Sequence, residues 1–558
     1  MRLRVIYAKK RYKDKIYTTP LVVTSYRDAK GVPRHKTLIN LSVLPSFLIT
    51  TIENALKDGD VEVLQQHSLI SDFKYLQSLT IGPAYVVFQL LHQLHIVHLL
   101  KTYLTKAQAL VICALIIERV TAENPLSVSA LCRRFEKEAS AYLLEASTET
   151  PQLQTWYRAL GALEKNRETI LKELFTRHQR AGELYLYDIT SSYFEGEKCL
   201  LAEWGYNRDG KKGKKIIVIG LICDEVGCPI WVEVFKGSTS DQTTVIQQFE
   251  TLREKLGIDR FTFVGDRGML TRGRIDELKE QGWMEHFRYI TAITRKEMMQ
   301  LVEDQKHPIQ LSLFDELNLA EVEEAGVRYV LCHNPKKKEE DRATRERLLE
   351  KTEEKLFMIQ KNVVAGHWKR KDVIVKRLYH WLNRWGMEKF FEVEHDEGWF
   401  SYRKDEEKIK QYSKLDGCYV IRSNVEKERL SKEHLLARYK DLKMVEQAFR
   451  TMKTTELQVR PVRHWTVENV RGHVFMCFLA YRIIWELRQR LAPLLSRDPY
   501  THQCEAGSLT EIWRELSTIS LGKVSFKEKT VYQLSQISPE SQKILDLLHL
   551  EPIEQILK

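Results

Sequence analysis

Three acidic residues stand at positions where their carboxylates could act together. Asp188 follows the β-prone run LYLY, Asp266 follows the run FTFVG, and Glu446 lies in a helical stretch much further along the chain. Phosphodiester transfer needs in-line attack on phosphorus, and two divalent ions roughly 4 Å apart stabilise both the attacking and the leaving oxygen. Magnesium takes few carboxylates and keeps its other positions for water and phosphate oxygens. Three acids from distant segments are therefore a suitable donor set for such chemistry.

Strand-like segments surround the two aspartates. The run LYLYDITSSYFEG predicts a strand that ends near Asp188, and KKIIVIGLICDEVGCPIWVEVFKG predicts two strands joined by a turn at 224–227. The run RFTFVGDRGM predicts a further strand with Asp266 at its carboxyl end, and the residues 271–278 start a helix. If the two aspartate strands pair, both carboxylates lie where a buried strand meets solvent.

The third acid belongs to a helical face. Tyr439, Glu446, Arg450 and Lys453 recur at intervals of three, four and seven residues, which places them along one side of a helix. We expect Glu446 to bind metal, Arg450 and Lys453 to bind the phosphate backbone, and Tyr439 to contact DNA. A solvent-exposed helix with ion pairs between neighbouring turns is the alternative, and for this segment alone it is the more common outcome.

Together these motifs resemble the DDE transposases of bacterial insertion sequences. Tyr439, Glu446 and Lys453 match the spacing of the signature Y-x2-R-x3-E-x6-K. Leu442 stands where the signature has arginine, and Lys443 or Arg450 are the candidates to replace it. Three further segments are similar to the family's conserved segments, at 204–221, 235–244 and 460–483.

The resemblance implies a multidomain α/β protein. Its catalytic core is a ribonuclease H-like mixed sheet with flanking helices, interrupted by a β-rich inserted domain. The implied cofactors are two Mg²⁺ ions, with Mn²⁺ as a substitute, bound by Asp188, Asp266 and Glu446. The implied reaction is cut-and-paste transposition: water cleaves the element's end, and the freed 3′-hydroxyl then attacks the complementary strand or target DNA. Double-stranded DNA with terminal inverted repeats, target DNA and a homodimer partner are the expected partners.

Two other functions remain open at this stage. The chain could be a catalytically inactive, transposase-derived DNA-binding protein, although all three acids are present. It could also be a structure-selective DNA nuclease on the same core, because fold alone does not choose between these activities.

The gap between Asp266 and Glu446 holds 179 residues. So long a loop is uncommon inside a compact domain, so the gap predicts an inserted domain. The helical domain before the first acid could recognise DNA ends or could serve only in packing. The β-rich N-terminal module could contact DNA or could be a solvated surface sheet. We predict a basic β-rich module over 1–80, a helical, possibly DNA-binding domain over 81–180, the first part of the catalytic core over 181–296, the insertion over 297–410, the second part with the glutamate-bearing helix over 411–490, and a helical C-terminal region over 491–558.

Further candidate residues come with alternatives of their own. Arg267 could contact DNA or form a salt bridge, Asp241 could lie near the metals or cap a helix, and His464 and His473 fit structural roles best. Tryptophans of the insertion could stack on a flipped base, although core packing is the more common role of each. The candidate phosphate contacts also include Lys211, Lys212, Lys214 and Lys215, and the candidate stacking residues are Trp368, Trp381, Trp385 and Trp399.

Composition agrees with a nucleic-acid partner but is weak evidence by itself. Lysine and arginine outnumber aspartate and glutamate by 87 to 76, for a net charge of +11. Such a surplus favours polyanions, because neutralised phosphates release condensed counterions. The nine cysteines form no CxxC pair, so we expect reduced thiols rather than zinc. No stretch is apolar enough to span a membrane, and the N-terminus has no apolar signal core. We therefore expect a cytoplasmic, nucleoid-associated bacterial protein.

Overall fold

A computed structural model gives the fold. It describes residues 3–12, 15–28, 30–57, 73–145, 151–178, 182–196, 198–303, 319–455, 457, 459, 462–495, 508–526 and 529–557.

The N-terminal region is a three-stranded antiparallel meander covered by one helix. The helix packs on the sheet through a small apolar core around Val22, Leu41, Ile49 and Leu56. A fourth strand follows further along the chain. The elements are β1 (Leu3–Tyr12), β2 (Lys15–Arg27), β3 (Pro33–Asn40), α1 (Ser46–Lys57) and β4 (Phe73–Thr80).

A helical region comes next, as the period of its apolar residues predicts. Two of its helices begin at side-chain caps. Ser127 accepts a hydrogen bond from the Ala130 backbone, and Thr105 accepts one from the Gln108 backbone while the Gln108 side chain accepts one from the Thr105 backbone. The helices are α2 (Gly82–Gln93), α3 (Ile96–Tyr103), α4 (Lys106–Thr121), α5 (Val128–Arg134), α6 (Ala139–Leu143), α7 (Leu153–Lys165) and α8 (Arg167–His178).

The segment that carries the two aspartates alternates strands and helices. The predicted strand–turn–strand run, the strand before Asp266 and the helix after Thr271 are all confirmed. The elements are β5 (Leu184–Tyr193), β6 (Ile216–Asp224), β7 (Pro229–Lys236), α9 (Asp241–Glu250) with a π-helical turn (Thr251–Lys255), β8 (Phe261–Gly265), α10 (Arg272–Glu280), β9 (Phe287–Ala292) and α11 (Arg295–Glu303).

The stretch 319–413, which lies between the second and third acids, has two parts. Its first two strands join the large sheet, whereas the rest forms a separate unit. The elements are β10 (Leu319–Glu324), β11 (Val327–His333), α12 (Pro335–Val364), α13 (Lys371–Trp385), β12 (Phe391–Asp396), β13 (Trp399–Lys404) and α14 (Glu406–Ser413).

The remaining elements return to the sheet and then leave it. They are β14 (Cys418–Ser423), α15 (Lys432–Lys440), α16 (Leu442–Arg450) with a π-helical turn (Thr451–Thr455), α17 (Val467–Arg490), α18 (Ala492–Leu495), α19 (Leu509–Leu516), β15 (Ser520–Phe526), β16 (Lys529–Leu534) and α20 (Pro539–Leu547).

One mixed sheet organises the centre of the molecule. Its strand order is β10–β11–β14–β9–β8–β5–β6–β7. The pairs β5–β8 and β8–β9 are parallel, and the other neighbours are antiparallel. The chain therefore leaves the sheet after β11 and re-enters it at β14, so the unit made of α12, α13, β12, β13 and α14 is inserted between two adjacent strands.

The inserted unit has its own hydrophobic core. Leu356, Ile359, Leu378 and Phe390 are buried there, apart from the main core of the molecule. Two long helices and one hairpin build it, so the β-rich insertion implied by the resemblance is corrected to a helix-rich one. The physical reason is that the run KKKEEDRATRERLLEKTEEKL combines strong helix formers with charges that pair one turn apart.

The helical region surrounds α17 instead of standing apart. Helices α4 and α7 pack against α17, and a Cβ at Gly472 of α17 would meet the Leu160 carbonyl oxygen at 2.1 Å. Arg167 of α8 forms an ion pair with Glu233 of β7 at 3.1 Å. Sheet and helices share one continuous apolar core, so this region is a packing platform for the sheet.

The prediction of a helical C-terminal region over 491–558 is wrong in part. Strands β15 and β16 form a hairpin, and β15 also pairs with β4 to complete a three-stranded antiparallel sheet. The period of two in this segment is masked by its lysines, and its partner strand lies more than 400 residues away in the sequence.

None of the helices in the described part of the chain combines the length and apolar character that a bilayer crossing requires.

Candidate active site

Asp188 and Asp266 lie on neighbouring parallel strands. Strand β5 continues past Asp188 to Tyr193, with Asp188 opposite Leu221 of β6, so the prediction that this strand ends near Asp188 is wrong. The strand that ends there is β8, whose last residue is Gly265. Leu186 and Val264 are the last pair of the two strands, so Asp188 and Asp266 each lie two residues beyond it, on the same side of the sheet. The Asp266 carboxylate is close enough to Asp188 to act on its charge.

Glu446 reaches the same place from α16. One face of this helix buries Leu442, Val445, Ala448 and Phe449, and the helix packs on β5 and β6. Glu446 itself is exposed, one residue after the buried Val445. The buried stripe therefore fixes the height and rotation at which the helix presents this carboxylate beside the aspartate strands.

The electrostatics of Asp188 show that the other two carboxylates act on it. Asp188 is half-buried, and its pKa is raised to about 7 from an ordinary value of 3.8, chiefly because burial disfavours the charged form. The Asp266 and Glu446 carboxylates raise this pKa further. The Ile189 N–H, which donates to Asp188 Oδ1 at 2.8 Å, and the Arg208 guanidinium lower it. The site thus holds more negative charge than its surroundings neutralise.

Tyr439 closes one side of this carboxylate cluster. The Tyr439 hydroxyl is hydrogen-bonded to the Asp266 carboxylate. Burial, together with the charges of Asp266 and Glu446, raises the tyrosine pKa, so the hydroxyl stays protonated and donates. The predicted role for Tyr439 was DNA contact; in the structure its partner is the second aspartate. Tyr439 therefore orients Asp266.

A divalent metal ion fits the chemistry of this cluster. Among the described residues, no three His, Cys, Asp or Glu side chains are arranged to hold one ion between them. Magnesium does not require such a cage, because it binds through one or two carboxylates and keeps several waters. The Asp266 and Glu446 carboxylates both raise the pKa of Asp188, so the three acids form a donor set whose negative charge a cation would relieve. Asp188, Asp266 and Glu446 would be the ligands.

The structure corrects the assignment of Lys453 as a phosphate contact. Its side chain is 10% exposed, and Nζ lies 2.6 Å from Oδ1 of Asp209, whose own side chain is 3% exposed. Nζ also donates to Thr190 Oγ1 at 2.8 Å. Thr190 is two residues past Asp188 on β5, so Lys453 fastens the end of the glutamate helix to the aspartate strand. The helical spacing could not distinguish this role from DNA contact.

The remaining basic candidates lie at the surface around the cluster. Arg450 is exposed and lines a cleft of about 770 Å³ between α16 and α17, together with Glu446 and Arg488. Arg267 is exposed, and its backbone N–H donates to Asp266 Oδ1 at 2.7 Å. Both cations are thus placed next to the acids and open to solvent.

Four lysines occupy the connection between β5 and β6. Lys214 forms an ion pair with Glu195 at 2.8 Å, and Lys211 Nζ lies 5.3 Å from the centre of the Tyr193 ring. Lys212 and Lys215 are exposed. This loop joins two strands of the large sheet, and both contacts are with residues at or just past the end of β5.

The tryptophans of the insertion divide into two groups. Trp368, Trp381 and Trp385 are half-buried and pack against the insertion's own core. Arg377 lies over the Trp368 ring at 4.1 Å and Arg384 over the Trp381 ring at 5.2 Å. Trp399, in the β12–β13 hairpin, is 50% exposed. Core packing thus accounts for three of the four stacking candidates.

The sequence analysis missed Arg208 as part of the site. Its Nη2 donates to both carboxylate oxygens of Asp241 at 2.7 Å, and its backbone N–H donates to Ser191 Oγ at 2.8 Å. Arg208 lowers the pKa of Asp188 and so lies within its field. Asp241, weighed between metal binding and helix capping, instead fixes this arginine. The run NRD in the motif segment at 204–221 was the available signal.

The two histidines near α17 are structural. His473 is buried, and its Nε2 lies 3.1 Å from the Val459 carbonyl oxygen. Burial and, to a smaller extent, the nearby Arg119 guanidinium lower the pKa of His464 to about 4. Both rings are therefore neutral at physiological pH, in agreement with the expectation for these residues.

Comparison with known proteins identifies the family of this chain. A family model described as a transposase DDE domain matches residues 181–483, more than half of the chain. No curated protein shows significant sequence similarity. A piggyBac transposase synaptic complex with hairpin DNA is similar at a TM-score of 0.34 and 8% identity, over 74% of this chain and 69% of that one. A Mos1 transposase paired-end complex with left transposon end has a TM-score of 0.15 and 16% identity, over 32% and 56%. These structural likenesses are weak, but the family model spans all three acids, and the chain belongs to the family of transposases with a DDE domain.

Proposed function

We propose that this protein is a metal-dependent DNA transposase whose catalytic acids are Asp188, Asp266 and Glu446. The observation that carries the proposal is the raised pKa of Asp188, which has the other two carboxylates among its causes. The Asp266 and Glu446 carboxylates act on Asp188, although 77 residues separate the first acid from the second and 179 separate the second from the third. A purely structural cluster would instead be neutralised by cations.

The chain's own residues prepare the site for phosphodiester chemistry. Asp188, Asp266 and Glu446 would hold two Mg²⁺ ions, or Mn²⁺, which when bound supply charge stabilisation and activate the attacking oxygen. Tyr439 orients Asp266, and Lys453 holds the glutamate helix against β5. Arg450, Arg267 and the exposed lysines of the β5–β6 connection bind phosphates on either side of the scissile bond.

The finer assignments follow the motifs. We assign the chain to the Y-R-E-K group of bacterial insertion-sequence transposases, with Arg450 rather than the buried Leu442 supplying the missing arginine. Strands β7, β6, β5, β8 and β9 form the ribonuclease H-like core, interrupted by the insertion. The reaction is cut-and-paste: cleavage at terminal inverted repeats, then strand transfer into target DNA. A homodimer brings the two element ends together.

The test is a cleavage assay on DNA fragments from both flanks of the coding region. In Mg²⁺ we expect the wild type to cut these fragments, and Asp188→Asn and Glu446→Gln to bind them but leave them uncut. Glu428→Gln, an exposed glutamate outside the cluster, is the matched control and should cut normally. Cleavage by Glu446→Gln at the wild-type rate would contradict the site assignment.

The two alternative functions give different outcomes in the same assay. A catalytically inactive DNA-binding protein would bind the fragments without cutting them in any divalent metal. A structure-selective nuclease would cut, but would not join pre-cleaved ends to a target plasmid. Only a transposase performs both steps, so a strand-transfer reaction with pre-cleaved ends completes the test.

A further inference from the structure

Two large aromatic side chains in one loop of the sheet region point into solvent. Trp204 is 64% exposed and Tyr206 is 79% exposed, in the connection between β5 and β6. Large aromatic residues are usually covered, because each buries 150–250 Å² of mostly apolar surface in a folded protein. Two such rings at one surface loop mark a binding surface more often than a packing defect.

The loop that carries these rings is firmly held. Glu203 and Ile216 exchange backbone hydrogen bonds at 2.9 and 3.1 Å, and a Cβ at Gly205, between the two aromatics, would lie 1.9 Å from the Gly237 carbonyl oxygen. On the other side, the Arg208 N–H donates to Ser191 Oγ. Both rings therefore stand on a rigid support, which reduces the entropy lost when a ligand binds.

This loop is connected to the acids through Arg208. The Arg208 guanidinium lies 5.5 Å from the centre of the Tyr206 ring and acts on the charge of Asp188. Tyr206 also lines a cavity of about 550 Å³ together with Asp241 and Gly268, and Gly268 is two residues past Asp266. A group stacked on Tyr206 would thus be adjacent to the carboxylate cluster.

The charge around the rings is suited to a polyanion. Residues 198–215 contain six lysines and arginines but only two acids. Exposed aromatic faces interleaved with cations are the general means by which proteins bind unpaired nucleotides, because every base has a π-face and every linkage a phosphate. A second protein copy as partner would instead favour a larger apolar patch with fewer charges.

We propose that Trp204 and Tyr206 form a stacking platform for unpaired bases of the DNA strand held at the carboxylate cluster. The inference rests on the proposed function, because DNA cleavage and strand transfer at the carboxylate cluster are what bring unpaired bases to this loop. It moves the stacking role from the insertion, where three of four tryptophans cover their own core, to the β5–β6 connection. Lys211 and Lys212 supply the neighbouring phosphate contacts.

The test measures binding by the full chain in EDTA, so that no cleavage takes part. The probes are a fluorescent blunt duplex and the same duplex with a short single-stranded overhang that contains 2-aminopurine. We expect the wild type to prefer the overhang and to quench 2-aminopurine by stacking. The double variant Trp204→Ala/Tyr206→Ala should bind the overhang duplex about 5-fold or more weakly, and it should no longer quench 2-aminopurine. Its affinity for the blunt duplex should not change. Trp204→Phe/Tyr206→Phe, which keeps both rings, should retain most of both signals.

Trp399→Ala is the matched control, since Trp399 is also half exposed but lies in the insertion. It should keep the overhang preference. The proposal is overturned if the double alanine variant retains that preference, or if Trp399→Ala loses it. It is also overturned if the double alanine variant alters only the oligomeric state of the protein in solution, because the two rings would then form a contact between copies of the chain. Failure of the cleavage assay is a separate result, because the binding assay scores no cleavage.

Discussion

Two acids of the large sheet region differ in their neighbours. Asp416, just before β14, is 3% exposed and contacts the guanidinium groups of Arg295 and Arg345. Asp188, in the middle of β5, has the carboxylates of Asp266 and Glu446 in its field, and its pKa is raised. The first arrangement satisfies a buried charge within the fold. The second leaves charge to be balanced from outside, which distinguishes a binding site from a structural ion pair.

Asp188→Asn tests this comparison with the largest expected effect. We expect cleavage to fall by about 10³-fold or more, because a bound metal ion contributes several kcal/mol to the transition state. In a metal-free buffer at pH 8 the same variant should be more stable than the wild type. The raised pKa means that the favourable contribution of protonated Asp188 is complete below about pH 3.8 and is lost as the pH rises through about 7.

The expected gain in unfolding free energy at pH 8 is at most about 4 kcal/mol, reduced by partial solvent exposure. Urea unfolding in EDTA measures it, with a second series at pH 4, where the two proteins should differ little. Added Mg²⁺ should raise the melting temperature of the wild type more than that of Asp188→Asn. Equal unfolding free energies of the two proteins at pH 8 would show that the pKa of Asp188 is not raised in the folded protein.

Asp416→Ala should show the opposite behaviour. Removal of this buried carboxylate leaves two arginines without their partner, so we expect a loss of about 3–5 kcal/mol in unfolding free energy. The control is Asp372→Ala, whose pair with Arg370 lies at the surface, with 64% and 79% of the side chains exposed; it should cost about 1 kcal/mol or less. If both variants cost the same, Asp416 is not a structural charge.

Lys453→Met extends the comparison to a cation beside the active site. The buried pair with Asp209 predicts a loss of about 3 kcal/mol, part of which Asp209→Asn should restore in the double variant. The salt dependence of binding to a plain duplex should not change, because Lys453 is enclosed by protein. In contrast, Arg450→Ala should reduce that slope by about 1. A reduced slope for Lys453→Met would return this lysine to the phosphate contacts.

The smallest expected effects concern the tryptophans of the insertion. Trp381 packs against the local core and lies beneath Arg384 and Lys355, so Trp381→Ala should cost about 2 kcal/mol in unfolding free energy. Trp399→Ala should stay within about 0.5 kcal/mol, as exposed substitutions usually do. Thermal unfolding of the two variants is the measurement. A larger loss for Trp399→Ala would mean that the hairpin packs more tightly than its exposure indicates.

The chemistry of the site could be predicted from the sequence because it depends on residue types in local patterns. The period of two around Asp188 and Asp266 and the helical spacing around Glu446 follow from how backbones repeat. Gly227, in the turn between β6 and β7, has a φ of +80°, a conformation that glycine adopts without steric penalty. These features are fixed by neighbours within a few residues.

Only the tertiary structure decided which side chains are buried by segments that are distant in the sequence. Lys453 and Arg450 stand three residues apart on one helical run, yet one is sealed by Asp209 and the other is exposed. Trp381 and Trp204 read alike in the sequence, but one covers a core and the other does not. Strand β15 finds β4 across most of the chain. Burial is a property of the whole packed surface, so the pattern around a residue limits its chemistry while distant segments determine whether solvent, or a ligand, can reach it.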